Sequence, residues 1–258
     1  TDVYSNAVSM SDRRAMPVTF SEAGEITSIS LYHNGGTGSM LLGVYSDASG
    51  LPSSQLGVTA ATTVNAMGGW QTVTLSSPVS VSSGETVWLA WVFQNSTGVR
   101  FEAGTPGRAQ SAANWSDGMP TDFGPSSIAD YRYSVYCNYT PLPILSVSPT
   151  SLTLGSSSGS NGEFTITSNT TWSITDDAGW LDFSPVSGSD NGTVTVEATS
   201  ANTETSTRTA TLTISGTGLT DKTITVTQEP SPGDEVIVGN TDVYSNAVSM
   251  SDRRAMPV

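Results

Sequence analysis

The sequence predicts an all-β protein: a jelly-roll-like β-sandwich, then an immunoglobulin-like sandwich, then the start of a further copy of the first. Three observations carry this expectation. Short runs rich in Thr, Val and aromatic residues recur along the 258 residues between 25 glycines and 13 prolines, and no stretch repeats its apolar residues at helical spacing. Hydrophobic residues make up 36% and charged residues only 12%, about half the usual charged share, so uncharged Ser, Thr and Asn supply the polarity. The stretch TDVYSNAVSMSDRRAMPV, Thr1 to Val18, returns letter for letter at Thr241 to Val258, a period of 240 residues.

That period is far longer than the roughly 20–50 residues of a solenoid unit, so each period holds whole domains. A natural tandem array is the expected source of the repeat, in preference to a duplication introduced by cloning. In the first domain, residues 1–140, strands are expected at 17–20, 26–33, 39–46, 70–75, 86–94, 99–103 and 131–139. Between them Asn34-Gly35-Gly36 reads as a hairpin turn and Ser49-Gly50-Leu51-Pro52 as a loop. Alternation through YRYSVYCNYT places Tyr131, Tyr133, Val135, Cys137 and Tyr139 on one face, with a buried, inert thiol. About seven short strands, each burying one face, make a two-sheet sandwich. Pro141 and Pro143 stiffen a linker over 141–143.

The second domain spans 144–229 and alternates most clearly in GTVTVEA, RTATLTIS and KTITVTQ. A linker follows at 230–235. Residues 236–258 then read as the first strand region of the next copy, with Val236, Ile237, Val238, Val243 and Tyr244 at the repeat junction. This region could supply an edge strand to a neighbouring copy in the same chain or in an adjacent one.

The order LSVSPTSLTL, SNTTWSI, WLDFSPVSG, NGTVTVEA and a terminal ITVTQEP resembles the BACON domain of secreted and surface proteins, chiefly at Trp172, Trp180 to Gly188 and Val226 to Gln228. The resemblance covers about a third of the chain. It implies an immunoglobulin-like fold and a role as a spacer or carbohydrate-binding module, and it carries over no binding residue. The first domain resembles, through RRAMPV, LYHNGGTGSMLLGVYSD and NWSDGMPTDFG, a β-sandwich unit of secreted multidomain bacterial proteins, to which no activity attaches.

A net charge of -14, with one lysine and eight arginines, offers no basic stripe, which argues against nucleic acid and anionic membranes as partners. No apolar run approaches the roughly 18 residues of a membrane span. Together with the array and the Ser/Thr-rich strands, this points to an extracellular or cell-surface protein, its export signal lying outside these residues. Cys137 is the only cysteine, so no disulfide forms within the chain. His33, the only histidine, is expected at the surface or in a turn; without a second histidine or a cysteine pair, neither zinc nor covalently attached haem is expected. Gly155-Ser156-Ser157-Ser158-Gly159 matches an esterase pattern by letters alone, because that motif needs a strand, an elbow and a helix. Paired carboxylates carry little weight among 23 acidic residues, and Asp176-Asp177 reads as a turn before Trp180. No cofactor is expected, apart from a calcium ion gathered by loop carboxylates near Asp117, Asp122 and Asp130, or at Ser189-Asp190-Asn191-Gly192.

Sugar binding needs aromatic faces beside hydrogen-bonding groups. The best local matches are Trp115 with Asn114 and Asp117, with Arg108 upstream, and Trp70 after two glycines. A packing role for both tryptophans competes with this reading, and Trp88 is expected at the surface. The leading functional expectation is a non-enzymatic repeat unit of an extracellular filament, stalk or adhesin. The alternative is a carbohydrate-binding accessory region of a secreted polysaccharide-degrading enzyme.

Overall fold

The computed structural model describes residues 2–232, whose regular elements are strands apart from one 3₁₀ turn at Trp115–Asp117. The junction residues Val236, Ile237, Val238, Val243 and Tyr244 lie outside the described residues. Contacts divide the chain into two units, Thr1–Leu142 and Pro143–Val258.

Unit 1 contains β1 (Asn6–Met10), β2 (Arg14–Thr19), β3 (Gly24–His33), β4 (Ser39–Ala48), β5 (Leu51–Val58), β6 (Thr62–Thr63), β7 (Gly69–Val81), β8 (Thr86–Phe93), β9 (Thr97–Gln110), β10 (Ser127–Tyr133) and β11 (Val135–Pro141). Strands β11, β3 and β7 pair in one layer, and β2, β8, β4 and β5 in the other. The long β9 joins them, since Val99 pairs with His33 of β3 while Ala109 and Gln110 pair with β2. Period-two alternation sends Ile29, Leu31, Leu42, Val73, Leu89 and Trp91 into the core between the layers. A smaller cluster of Ala15, Tyr45, Trp88, Ala90, Ala109 and Phe123 sits on the opposite face of the β2–β8–β4 layer, where the 111–124 loop covers it. Trp88 is therefore 3% exposed, contrary to expectation.

Two turn assignments exchange places. Asn34-Gly35-Gly36 turns no hairpin: β3 and β4 do not pair, and the segment crosses from one layer to the other. Its polar groups are engaged elsewhere, the Asn34 N–H donating to the Gly98 carbonyl at 2.8 Å and the Gly35 N–H to Nδ1 of His33 at 3.0 Å. The hairpin is at Ser49-Gly50, where positive φ angles of 55° and 80° close a two-residue turn with Ala48 opposite Leu51. The expected 131–139 strand breaks at Ser134, which donates to the Arg100 carbonyl and accepts from the Tyr32 N–H. Tyr131 lies 39% exposed, while Tyr133, Val135, Cys137 and Tyr139 pack on the core.

His33 is fully buried, not a surface residue. Because Nδ1 accepts from Gly35, Nε2 carries the proton and donates to Oε1 of Gln71 at 2.8 Å; Gln71 in turn takes the Asn65 N–H and donates to the Thr63 carbonyl. Burial pulls the imidazole pKa below its ordinary value, against the opposing pull of the Gln71 bond. Burial also pushes the half-buried Cys137 thiol up to about 11, which keeps it protonated and unreactive at neutral pH.

Unit 2 contains β12 (Leu145–Ser148), β13 (Ser151–Leu154), β14 (Asn161–Ser168), β15 (Thr171–Asp176), β16 (Leu181–Ser184), β17 (Ser187–Ser189), β18 (Gly192–Ala198), β19 (Arg208–Gly216) and β20 (Lys222–Gln228). Two sheets, β12-β14-β18-β16 and β13-β20-β19-β15-β17, enclose Phe164, Ile166, Trp172, Val194, Val196, Leu212, Ile214 and Val226. Trp172 is 4% exposed and donates Nε1–H to the Asp190 carbonyl at 2.9 Å. Its ring lies so near Gly188 that a Cβ there would come within 2.5 Å of it. Asp176 and Asp177 form the expected turn, accepting the N–H groups of Ala178 and Thr211 at 2.8 Å.

Candidate carbohydrate-binding face

The residues expected to bind sugar do not converge. Asn114, Trp115 and Asp117 occupy the 3₁₀ turn, whose own backbone consumes the polar groups. The Asn114 side chain accepts from Ser116, and Oδ2 of Asp117 accepts the Asn114 N–H at 2.8 Å. This loop is held over β2 by Arg13, a residue the sequence reading passed over. Arg13 is 3% exposed and donates to the carbonyls of Gly118 and Phe123, with its guanidinium 4.8 Å from the Phe123 ring. Desolvation lowers its pKa, opposed by the charges of Tyr45 and Asp117. Arg108 belongs to a different cluster, where it lies buried with its guanidinium 5.8 Å from the Tyr131 ring.

The expected calcium ligands are also dispersed: Asp117 sits in the 3₁₀ turn, Asp130 in β10, and others in turns. Asp122 accepts the Gly124 N–H at 2.7 Å, and Asn191 accepts the Ser168 N–H at 3.0 Å. Among the described residues, no three His, Cys, Asp or Glu side chains gather to hold a metal ion.

Trp70 stands apart from the other candidates, on the outer face of the β11–β3–β7 layer. Register places it opposite Tyr32, and one row further along Tyr136 lies opposite Ser30, which in turn faces Thr72. The rings of Tyr32 and Tyr136 approach Trp70 edge-on, with centroids 5.6 and 4.8 Å away. All three aromatics are half-buried, so each keeps part of its ring in solvent. The exposed polar groups beside them are Thr72 and Asn138, which are bonded to the buried Ser30 and Ser28: Ser30 bonds Thr72 at 2.7 Å, and the Asn138 amide donates to Oγ of Ser28 at 2.7 Å. The only charged residue of the face is Glu25, at its far end, paired with Thr140 and Ser80. Aromatic surface next to neutral hydrogen-bonding groups can take the apolar patches and the hydroxyls of a sugar together. Tyr32 and Tyr136 escaped the sequence reading. Alternation in ITSISLYH does put Ser28, Ser30 and Tyr32 on one face, but only the pairing register brings Tyr136 and Trp70 beside them.

In comparisons with known proteins, residues 144–231 match a family profile described as the viral BACON domain. No curated protein matches the chain. Among solved structures, a Bacteroides ovatus GH5 xyloglucanase in complex with a XXXG heptasaccharide is 28% identical over 34% of this chain and 19% of that enzyme, with a TM-score of 0.32. The chain therefore spans about a fifth of that protein's length. The Vibrio cholerae VesB protease aligns over 81% of this chain and 99% of its own at 10% identity, with a TM-score of 0.25. Among the described residues no helix is long and apolar enough to cross a membrane. The profile match takes in the nine strands found among the described residues of unit 2, the buried Trp172 and the Val226–Gln228 strand end, so residues 144–231 of this chain are a BACON-like domain.

Proposed function

We propose that this chain is a non-enzymatic unit of a repetitive extracellular protein, a filament, stalk or cell-surface adhesin whose period is one unit-1 sandwich plus one BACON-like domain. The observation that carries the reading is the place of the duplicated residues in unit 1. Residues 1–18 supply β1 and nearly all of β2, and their Met10, Arg13, Arg14, Ala15 and Met16 are buried. The stretch that recurs at 241–258 restates each of these side chains, as Met250, Arg253, Arg254, Ala255 and Met256. A stretch that builds a sandwich interior is suited to opening another sandwich and poorly suited to acting as a solvated tail. Domains of this size measure roughly 35–40 Å across, so the axial repeat is about 60–90 Å. Electron microscopy of native material should show that spacing. Isolated compact monomers without periodicity would overturn the proposal.

The face around Trp70, Tyr32 and Tyr136, together with the BACON-like domain, favours a second reading, a carbohydrate-binding accessory region of a secreted polysaccharide-degrading enzyme. The full-length gene separates the two, by encoding either further 240-residue copies or a hydrolase domain.

A further inference from the structure

The outer face of the β2–β8–β4 layer carries a groove of about 440 Å³ next to the part covered by the 111–124 loop. Its floor is the edge of Trp88, and its walls are Pro17, Pro106 and Ile128, the last 45% exposed. Asp47 enters from β4 with its carboxylate fixed at both ends. Oδ1 accepts the indole N–H of Trp88 at 2.8 Å, and Oδ2 accepts the Gly50 N–H at 3.1 Å. The Ser49-Gly50 turn thus serves to aim this carboxylate, and each oxygen retains a further lone pair for a ligand. Across the groove, the hydroxyls of Thr19 and Thr86 bond each other at 2.7 Å, which leaves one O–H free to donate.

We infer that this groove binds a neutral hexose or pentose unit of a glycan, with two adjacent sugar hydroxyls donating to the Asp47 carboxylate. The size lies in the range of small-molecule sites, roughly 300–1,000 Å³, and apolar walls with a few convergent polar groups are the usual composition of such sites. Charge selects the ligand class. Asp47 is the only ionised side chain in the lining, which among the described residues holds no Lys or Arg. Phosphate, sulfate and uronic acids would meet an uncompensated negative charge, whereas a vicinal diol supplies two donors at the spacing of a carboxylate's two oxygens. The assignment does not depend on the repeat reading, and it concerns the opposite side of unit 1 from Trp70.

The test is calorimetric titration of the 258-residue chain with neutral gluco-, manno-, galacto- and xylo-oligosaccharides, and with polygalacturonate as the anionic probe. At least one neutral oligosaccharide should bind with Kd of about 1 mM or below, and polygalacturonate should not bind. Asp47→Asn keeps the size of the side chain but only one acceptor oxygen, so it can serve one of the Trp88 and Gly50 N–H groups and not both, and it should weaken binding about tenfold or more. Thr19→Trp, an exposed residue enlarged to fill the groove, should abolish it; near-UV circular dichroism confirms that both variants are folded. The assignment is overturned if no neutral oligosaccharide binds, if Asp47→Asn and Thr19→Trp both bind as the parent does, or if binding disappears with Trp70→Ala but survives Asp47→Asn.

Discussion

The two units bury different chemistry. Among the described residues, unit 2 hides three polar side chains, Ser168, Asn202 and Gln228, whereas unit 1 hides three arginines and the sole histidine besides several hydroxyls. In unit 2 the polar interior gathers around Gln228 at the close of β20. Its amide donates to the Ser156 and Ser200 carbonyls at 3.1 and 3.2 Å and accepts from Nε of Arg208 at 2.7 Å. That tie locks the last strand to two loops, after which apolar alternation does the rest. Unit 1 instead fastens its crossovers with charged and ring donors reaching far along the chain, Arg13 to the 111–124 loop and His33 to Gln71. Unit 2 joins its pattern to a single polar knot at Gln228, whereas unit 1 spreads its polar anchors over separate buried sites at Arg13 and His33.

The sharpest way to break this contrast is Trp172→Ala. Losing a buried tryptophan costs about 3–5 kcal/mol, so unit 2 should unfold early in a urea titration while unit 1 keeps its own transition. A single merged transition shifted as a whole would show that the units are not independent. Arg13→Ala attacks the other side. It removes two bonds from a charged donor, each about 1.5–3 kcal/mol, and should destabilise unit 1 by about 3 kcal/mol with unit 2 unmoved. The freed 111–124 loop should then lose amide exchange protection, most visibly at Phe123, whose N–H is bonded to the Ser53 carbonyl.

A smaller loss, about 1–3 kcal/mol, is expected for Gly188→Ala, because the added methyl must push the Trp172 ring out of its place. The smallest effect separates the units by pH. His33 has a folded pKa below its unfolded value near 6.5, so the unfolded chain takes up the proton first. Its contribution is fully present above about pH 6.5 and is lost as pH falls below that toward the depressed folded value. Unit 1 melting should therefore weaken between pH 7 and 5 in the parent and do so less in His33→Gln, while unit 2, which has no histidine, should show no difference between the two chains. Equal slopes for unit 1 in both chains would refute the His33 account.

This division also explains what could be read from the letters. Alternation in GTVTVEA, RTATLTIS and KTITVTQ maps directly onto β18, β19 and β20, because one face is buried throughout and nothing competes with period two. In unit 1 the Gly-rich stretch after His33 resembled a hairpin, since the decisive bonds, to Gly98 and to the imidazole, come from distant or side-chain partners that local turn chemistry does not register. Strand β5 was hidden by Pro52, which is tolerated there because the β4–β5 ladder is irregular and the other edge of β5 meets only a short bridge, Ser54 to Asp122 in the 111–124 loop. The tryptophans were visible as candidates, but their neighbours were not. Tyr32, Trp70 and Tyr136 come from three strands, and Asp47 meets Trp88 across 41 residues.

Arg13 and Arg14 form a dibasic pair, and trypsin-like proteases cut after arginine in an unstructured chain. Here both side chains are withdrawn from solvent, at 3% and 8% exposure, the second held by Asp12 and the Tyr133 hydroxyl. A folded unit 1 thus presents no scissile site at this peptide bond, and its cleavage in a trypsin time course reports opening of the sandwich rather than trimming of a loop.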